Sequence, residues 1–280
     1  MKKILCLITA LLLFVGTSIA SDLDELAAVI QRSYANFVLL QGREYKDALN
    51  MSETKKDEEE VFKGLYKSYI DYYNNIINYY IENVTTPMDS EYVKKHKKEF
   101  LEYGFGLNIT EGSWCLEDDY TMLLRFPEIP EVWIDWLKLQ QKDITQNRNK
   151  CIKMGFCEGG TMTIPEREKA IIEFEKIEQK SEVIASIRAH DFDYIPYTSR
   201  ELVDTYLMGN DLKPIFDRNP DDTKSLNKAS KKSFEHFIKH HKSSKYWPIV
   251  NEYYKKLEQN NFLYSPDING WLIDRLESMK

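Results

Sequence analysis

From Asp22 onward, apolar residues recur at steps of three and four. In DLDELAAVIQRSYANFVLLQ the residues Leu23, Leu26, Ala27, Ile30, Tyr34, Phe37 and Val38 share one face of a helix, the spacing of an amphipathic segment packed on a core. The pattern predicts a first helix ending near Gln41. The stretch KKDEEE then sets carboxylates at the start of a second helix, where the backbone dipole favours negative charge.

That second helix, VFKGLYKSYIDYYNNIINYYIENV, carries an unusually wide apolar arc. Phe62, Leu65, Tyr69, Tyr72, Tyr73, Ile76 and Tyr80 form its centre, Val61, Tyr66, Ile70, Ile77 and Tyr79 widen it, and Lys67, Asp71, Asn74, Asn75 and Asn78 are left for solvent. An arc that broad needs cover on more than one side, which makes the helix central to its part of the fold. Its tyrosines read first as core, because each ring removes a large apolar area from water and its hydroxyl needs one partner. The alternative is a groove in which Tyr69, Tyr72, Tyr73 and Tyr80 offer their hydroxyls to a bound partner.

Further helices are predicted over about Ser90–Tyr103, a short one over Asp119–Phe126, one opening at Pro130 with Trp133, Trp136, Leu137 and Ile144 on one face, and one running from Thr163 to about Ala189. Thr163 and Glu166 have capping-box form, as do Thr198 and Glu201 ahead of a short helix stopped by Gly209. The last seventy residues alternate loops and helices. FEHFIKHHKSSKYWPIVNEYYKKL reads as two helices round a polar corner, but it lacks the alanine, glycine and tyrosine spacing of tetratricopeptide repeats, and no 34-residue period is visible. Strand patterns are nearly absent. The expected architecture is all-α, with eight or nine helices packed as antiparallel hairpins or an irregular array. The expected division is a leader over 1–20, an N-terminal helical half over 21–145, an irregular cysteine-containing connector over 146–164 and a C-terminal helical half over 165–280.

The leader is expected because Lys2 and Lys3 precede an apolar run from Ile4 to Val15, followed by small residues at Ser18 and Ala20. That order is the pattern of a secretory signal peptide, and the run is short for a membrane span. Cys6 lies at the start of the run, the wrong end for lipid attachment. No second long apolar stretch follows, so no membrane span is expected. The formal charge is -7, and loss of a leader holding two lysines makes the chain more acidic still. An acidic chain with scattered lysines disfavours nucleic acid and anionic lipid as partners. With 42% hydrophobic and 13% aromatic residues, the chain has the means to build a packed core.

Three of the four cysteines lie beyond the leader, and an exported chain favours their oxidation. In CIKMGFC, Cys151 and Cys157 are close in sequence and bracket Gly155, so they form the preferred pair. Pairing of Cys115 with either of them, or a fully reduced set, stays open. A bare C-x5-C has neither the C-x-x-C spacing of redox motifs nor the further ligands of a zinc site.

Of the remaining chemistry, Glu117 and Asp119 are a candidate acid–base pair of glycosidase type, with Glu117 protonated by burial near Trp114. Their simpler reading is as carboxylates capping the helix expected after them. His236, His240 and His241 include a His-x3-His pair, but a helical projection places His236 and His240 opposite the apolar face that His241 shares with Phe234 and Phe237. No H-E-x-x-H motif accompanies them. They read as surface histidines, and no metal is assigned. Asp217, Asn219 and Asp221 imitate the start of a calcium loop that lacks its glycine and final glutamate. His190 and Asp191 have no nucleophile in a recognisable elbow. Asn50, Asn83 and Asn108 are glycosylation sequons. Neither a phosphate-binding nor a dinucleotide-binding glycine motif occurs, and no cofactor is expected. The leading expectation is therefore an exported, non-catalytic helical protein, periplasmic or extracellular, that binds a protein or peptide. The alternative is a secreted hydrolase of carbohydrate or cell-wall polymer using Glu117 and Asp119.

Overall fold

A computed structural model describes residues 21–110, 112–154, 162–187, 198–210, 213–220 and 223–279. The described chain is predominantly helical. Its helices are α1 (Asp22–Leu49), α2 (Lys55–Asn83), α3 (Ser90–Glu102), α4 (Glu131–Met154), α5 (Ile164–Glu178), α6 (Glu182–Ala185), α7 (Ser199–Met208), α8 (Lys228–His240), α9 (Trp247–Gln259) and α10 (Pro266–Glu277).

The longest two helices form an antiparallel hairpin. Tyr45, late in α1, meets Phe62, early in α2, with ring centroids 5.9 Å apart, and Phe37 meets Tyr69 further along at 6.4 Å. At the far end Asp22 accepts hydrogen bonds from the backbone N–H groups of Thr85 and Thr86 at 2.7 and 2.8 Å. Asp22 is held at low pKa, first by the Thr86 hydrogen bonds and then by those of Thr85. Helix α1 runs past the expected end at Gln41. Tyr45 extends the buried face two turns beyond Phe37, and its hydroxyl donates to the Glu128 carbonyl at 3.1 Å.

Helix α2 is central, as its wide arc predicts. Phe62, Leu65, Tyr66, Tyr69, Ile70, Tyr72, Tyr73 and Ile76 are all buried on it. Each large side chain so placed contributes on the order of 1.5–3 kcal/mol by leaving water. The rings of Phe62 and Tyr66 meet the tryptophan pair of α4: Phe62–Trp133 are 5.1 Å apart and Tyr66–Trp136 5.2 Å.

The structure departs from the sequence expectations elsewhere too. The segment after α3 is a β-hairpin, β1 (Phe105–Thr110) with β2 (Ser113–Asp118), followed by a single 3-10 turn at Leu123–Arg125 in place of the helix expected over Asp119–Phe126. Leu107 stands opposite Leu116 and Ile109 opposite Trp114. Short antiparallel pairs also join β3 (Gly209–Asn210) with β4 (Lys213–Pro214), and β5 (Phe216–Arg218) with β6 (Lys224–Leu226). The expected connector at 146–164 is helical through Met154, and residues 155–161 lie outside the described segments. Finally α5 ends at Glu178, because Ser181 takes the N-cap of a new short helix, its Oγ accepting from the Ile184 N–H at 3.0 Å.

In the C-terminal half α5 packs against α7 and α8, and α8 against α9. Tyr206, Phe234 and Tyr253 form the aromatic chain through these helices. One cluster of buried apolar side chains runs through both halves, and Lys56–Glu182 and Lys142–Glu173 ion pairs at 2.9 and 3.0 Å span them on the surface. Among the described residues no helix is long and apolar enough to cross a membrane.

Candidate functional site

The inner face of α4 reads Trp133, Leu137, Gln140, Ile144, Arg148, Cys151, all buried and spaced three or four apart. Two members are polar, and Arg148 sits where a leucine would continue the stripe. Its guanidinium enters the hairpin side of the core. Nε donates to Glu117 at 2.7 Å, Nη1 to Asp119 at 3.2 Å, and Nη2 to the Asp118 carbonyl at 3.1 Å.

Both carboxylates of the sequence-derived pair are therefore brought together, in the interior and on one cation. The second oxygen of Glu117 accepts from the Asn108 amide at 3.1 Å. Asp119 accepts from the Gln141 amide at 3.0 Å, from the Thr121 backbone N–H at 3.1 Å and from the Thr121 hydroxyl. Burial pushes the Glu117 carboxyl above its ordinary range, against the opposing pull of Arg148 and Asn108. Burial alone would lower the Arg148 pKa, but Glu117 and Asp119 outweigh it and hold the guanidinium firmly charged.

This arrangement ties the hairpin to α4. Glycoside hydrolysis needs a protonated acid and a second carboxylate, both open to the sugar across a gap. Here each carboxylate is spent on interior donors: Asp119 is 2% exposed and the Glu117 side chain 17%. Asn108 is likewise 5% exposed and bonded to Glu117, which removes it as a sequon acceptor in the folded chain.

The tyrosines of α2 are mostly interior. Tyr69 is fully buried, its hydroxyl lying 3.1 Å from the Gly104 carbonyl and 3.2 Å from both the carbonyl and the N–H of Asp119. Tyr72 donates to the Tyr103 carbonyl at 3.0 Å, and Tyr73 stacks on Phe105 at 5.5 Å. Burial raises the pKa of all three. Tyr80 is half-buried, 3.5 Å from the Trp114 carbonyl. Three of the four residues that the groove alternative would place at a rim are core, as their first reading has it.

Other candidates fare variously. Cys115 lies on β2 as a thiol that donates to the Asn108 carbonyl at 3.6 Å. Cys151 is fully buried on α4, and Cys157 lies outside the described residues. Asn219 is engaged within its own hairpin, its amide donating to the Thr223 hydroxyl at 2.8 Å and its carbonyl oxygen accepting from the Ser225 hydroxyl at 3.0 Å. Asp221, His190 and Asp191 are outside the described residues. An open cleft of about 360 Å³ lies at the starts of α2 and α4, lined by Lys55, Glu58, Glu59, Glu131, Asp135 and Lys180 among others, away from Glu117 and Asp119.

Sequence reasoning missed Arg148 and the buried glutamates of α5. Glu168, Glu175 and Glu178 face inward beside Ile171 and Phe174. Glu178 binds Ser199, whose hydroxyl also lies 2.7 Å from that of Tyr246, and Lys245 at 2.8 Å. The signal for both is charge at a core position of the helical stripe. No protein-family model matches the chain, and no curated protein or solved structure matches it.

Proposed function

We propose that the chain is an exported, non-catalytic helical protein that binds a protein or peptide in the cell envelope or outside the cell, using exposed aliphatic side chains of α1. The observation that carries this reading is the exposure of Leu39 and Leu40, at 71% and 63%, beside Val38 at 36%. Leu39 and Leu40, about 100° apart round the helix, both stand in water, and Val38, expected on the packed face, is exposed with them. Apolar surface that is contiguous over roughly several hundred Å² marks an interaction site, and Leu39 and Leu40 are taken as the centre of one. The consumption of Glu117 and Asp119 by Arg148 speaks against the hydrolase reading, and the buried tyrosines leave α1 as the better surface for a partner.

Export rests on the basic, apolar and small-residue order of the first twenty residues. Ser21, where that pattern puts the new terminus, is the N-cap of α1, its Oγ accepting from Asp24 N–H at 3.1 Å. In an oxidising compartment we pair Cys151 with Cys157, since Cys115 keeps a thiol engaged with Asn108. The test is affinity capture from envelope and culture-supernatant fractions with residues 21–280 and with a Leu39→Asp/Leu40→Asp variant of unchanged melting temperature. One stoichiometric protein retained by the native chain and lost by the variant is expected. Empty capture across salt conditions, or equal recovery by the variant, overturns the reading.

A further inference from the structure

The end of α8 brings two imidazoles onto one buried carboxylate. Glu168 of α5 is 5% exposed. Its Oε1 lies 2.5 Å from His236 Nδ1 and 3.3 Å from His241 Nε2. The projection that sends His236 towards bulk solvent is thus corrected: its ring is 58% exposed, but one nitrogen turns inward to Glu168. We propose that Glu168, His236 and His241 form a three-ligand site for a zinc-type divalent ion, with its fourth position open on the side where His236 reaches solvent.

Three physical facts carry this. The three ligating atoms lie within 4.8 Å of one another. Bonds of about 2.0–2.1 Å to a tetrahedral ion set neighbouring ligands about 3.3 Å apart, so the triangle has to adjust by no more than about 1.5 Å. The carboxylate is also braced from behind. Ser233 donates to its other oxygen at 2.5 Å, and the hydroxyls of Ser233 and Tyr206 are 3.1 Å apart, the outer-shell support that fixes a ligating carboxylate. Lastly, a carboxylate in the interior needs a counter-charge, and among the described residues the ion pairs of Glu168 are those with the two histidines. Imidazole supplies that charge only while protonated; a bound divalent ion supplies it with both rings neutral.

Two nitrogens and one oxygen select zinc and its neighbours over calcium or magnesium, which take oxygen sets. Bound metal would pin the end of α8 to the first half of α5. The surface alternative is His236 with His240, whose rings are 4.4 Å apart one helical turn along α8.

The experiment titrates the metal-free chain with zinc chloride, by calorimetry and by melting temperature, with magnesium chloride as the control. One zinc per chain is expected, with a melting-temperature rise of about 5–10 °C at a hundredfold excess over Kd, and no rise with magnesium. His241→Ala is expected to weaken binding at least about tenfold, while His240→Ala leaves Kd within about threefold, in keeping with the cost of losing a ligand against losing a neighbour. No saturable zinc binding by the native chain overturns the site. So does binding that survives His241→Ala and disappears with His240→Ala, which would assign the metal to the surface pair.

Discussion

The guanidinium of Arg148 occupies the space that a β-carbon on residue 106 would fill, and Gly106 is the residue that leaves it room. The hairpin can therefore close over α4 with the cation between them. Gly106→Ala is expected to destabilise the fold by about 1–3 kcal/mol through overpacking, read from urea denaturation. The mechanism is checked by repeating the substitution in an Arg148→Ala background. There the added methyl meets empty space, and its cost should fall to a few tenths of a kcal/mol; an equal cost in both backgrounds would point to the strand backbone instead.

Removal of Arg148 leaves Glu117 and Asp119 buried beside each other without their cation. Arg148→Ala is expected to cost about 3–5 kcal/mol, the range for breaking a buried ion pair from one side. Arg148→Lys should recover only a minor part, because an ammonium cannot reach both carboxylates and the Asp118 carbonyl with the geometry of the guanidinium fork. Near-complete rescue by lysine would show that charge alone suffices.

Burial raises the Glu117 carboxyl above its ordinary value of 4.5. The folded chain then binds this proton more tightly than the unfolded one. The contribution of Glu117 is complete below the ordinary value and is lost as pH rises through the folded value. The stability of the native chain relative to Glu117→Gln should accordingly decline from mildly acid to neutral pH. Denaturation midpoints of the two proteins measured across that range test this, and parallel curves would show that Glu117 ionises as readily in the core as in the unfolded chain.

The helices were legible where polar and apolar residues alternate cleanly. The arc of α2, the capping box at Thr163, the N-cap at Thr198 and the glycine stop at Gly209 stand where the pattern puts them, although Glu201 does not return the second bond of a box to Thr198. The end of α4 was not, because Gln140 and Arg148 stand at interior positions and interrupt an otherwise regular stripe. Partners distant in sequence make those positions polar: Arg148 is a core residue only once Glu117 and Asp119 face it. The hairpin was hidden similarly. Phe105, Leu107 and Ile109 do alternate, but Gly106 and Asn108 between them read as loop until one is seen to admit Arg148 and the other to bind Glu117. The inward turn of His236 depends on Glu168, 68 residues earlier.

Tyr69 links α2 to both ends of the hairpin through its hydroxyl, next to the carbonyls of Gly104 and Asp119 and the N–H of Asp119. Tyr69→Phe should cost about 1–3 kcal/mol, because it leaves buried backbone groups without their partner. Tyr80→Phe removes a 3.5 Å contact at a half-buried ring, and should change stability by no more than about 0.5 kcal/mol. Paired urea curves for the two variants separate a structural hydroxyl from a marginal one, and similar costs would contradict this assignment.

The proposed Cys151–Cys157 bond has a direct chemical signature. Cleavage after Lys150, Lys153 and Arg167 places the two cysteines on separate peptides, residues 151–153 and 154–167, while Cys115 falls on residues 99–125. Without reduction the first two should travel as one mass and separate on reduction, and the third should carry an alkylated thiol. Closing so short a loop contributes about 2–3 kcal/mol in the chain-entropy picture, so reduction should lower the melting temperature modestly without unfolding α4. Alkylation of Cys151 and Cys157 before reduction, or a link from either to residues 99–125, would dismiss this pairing and with it the part of the export reading that rests on oxidised cysteines.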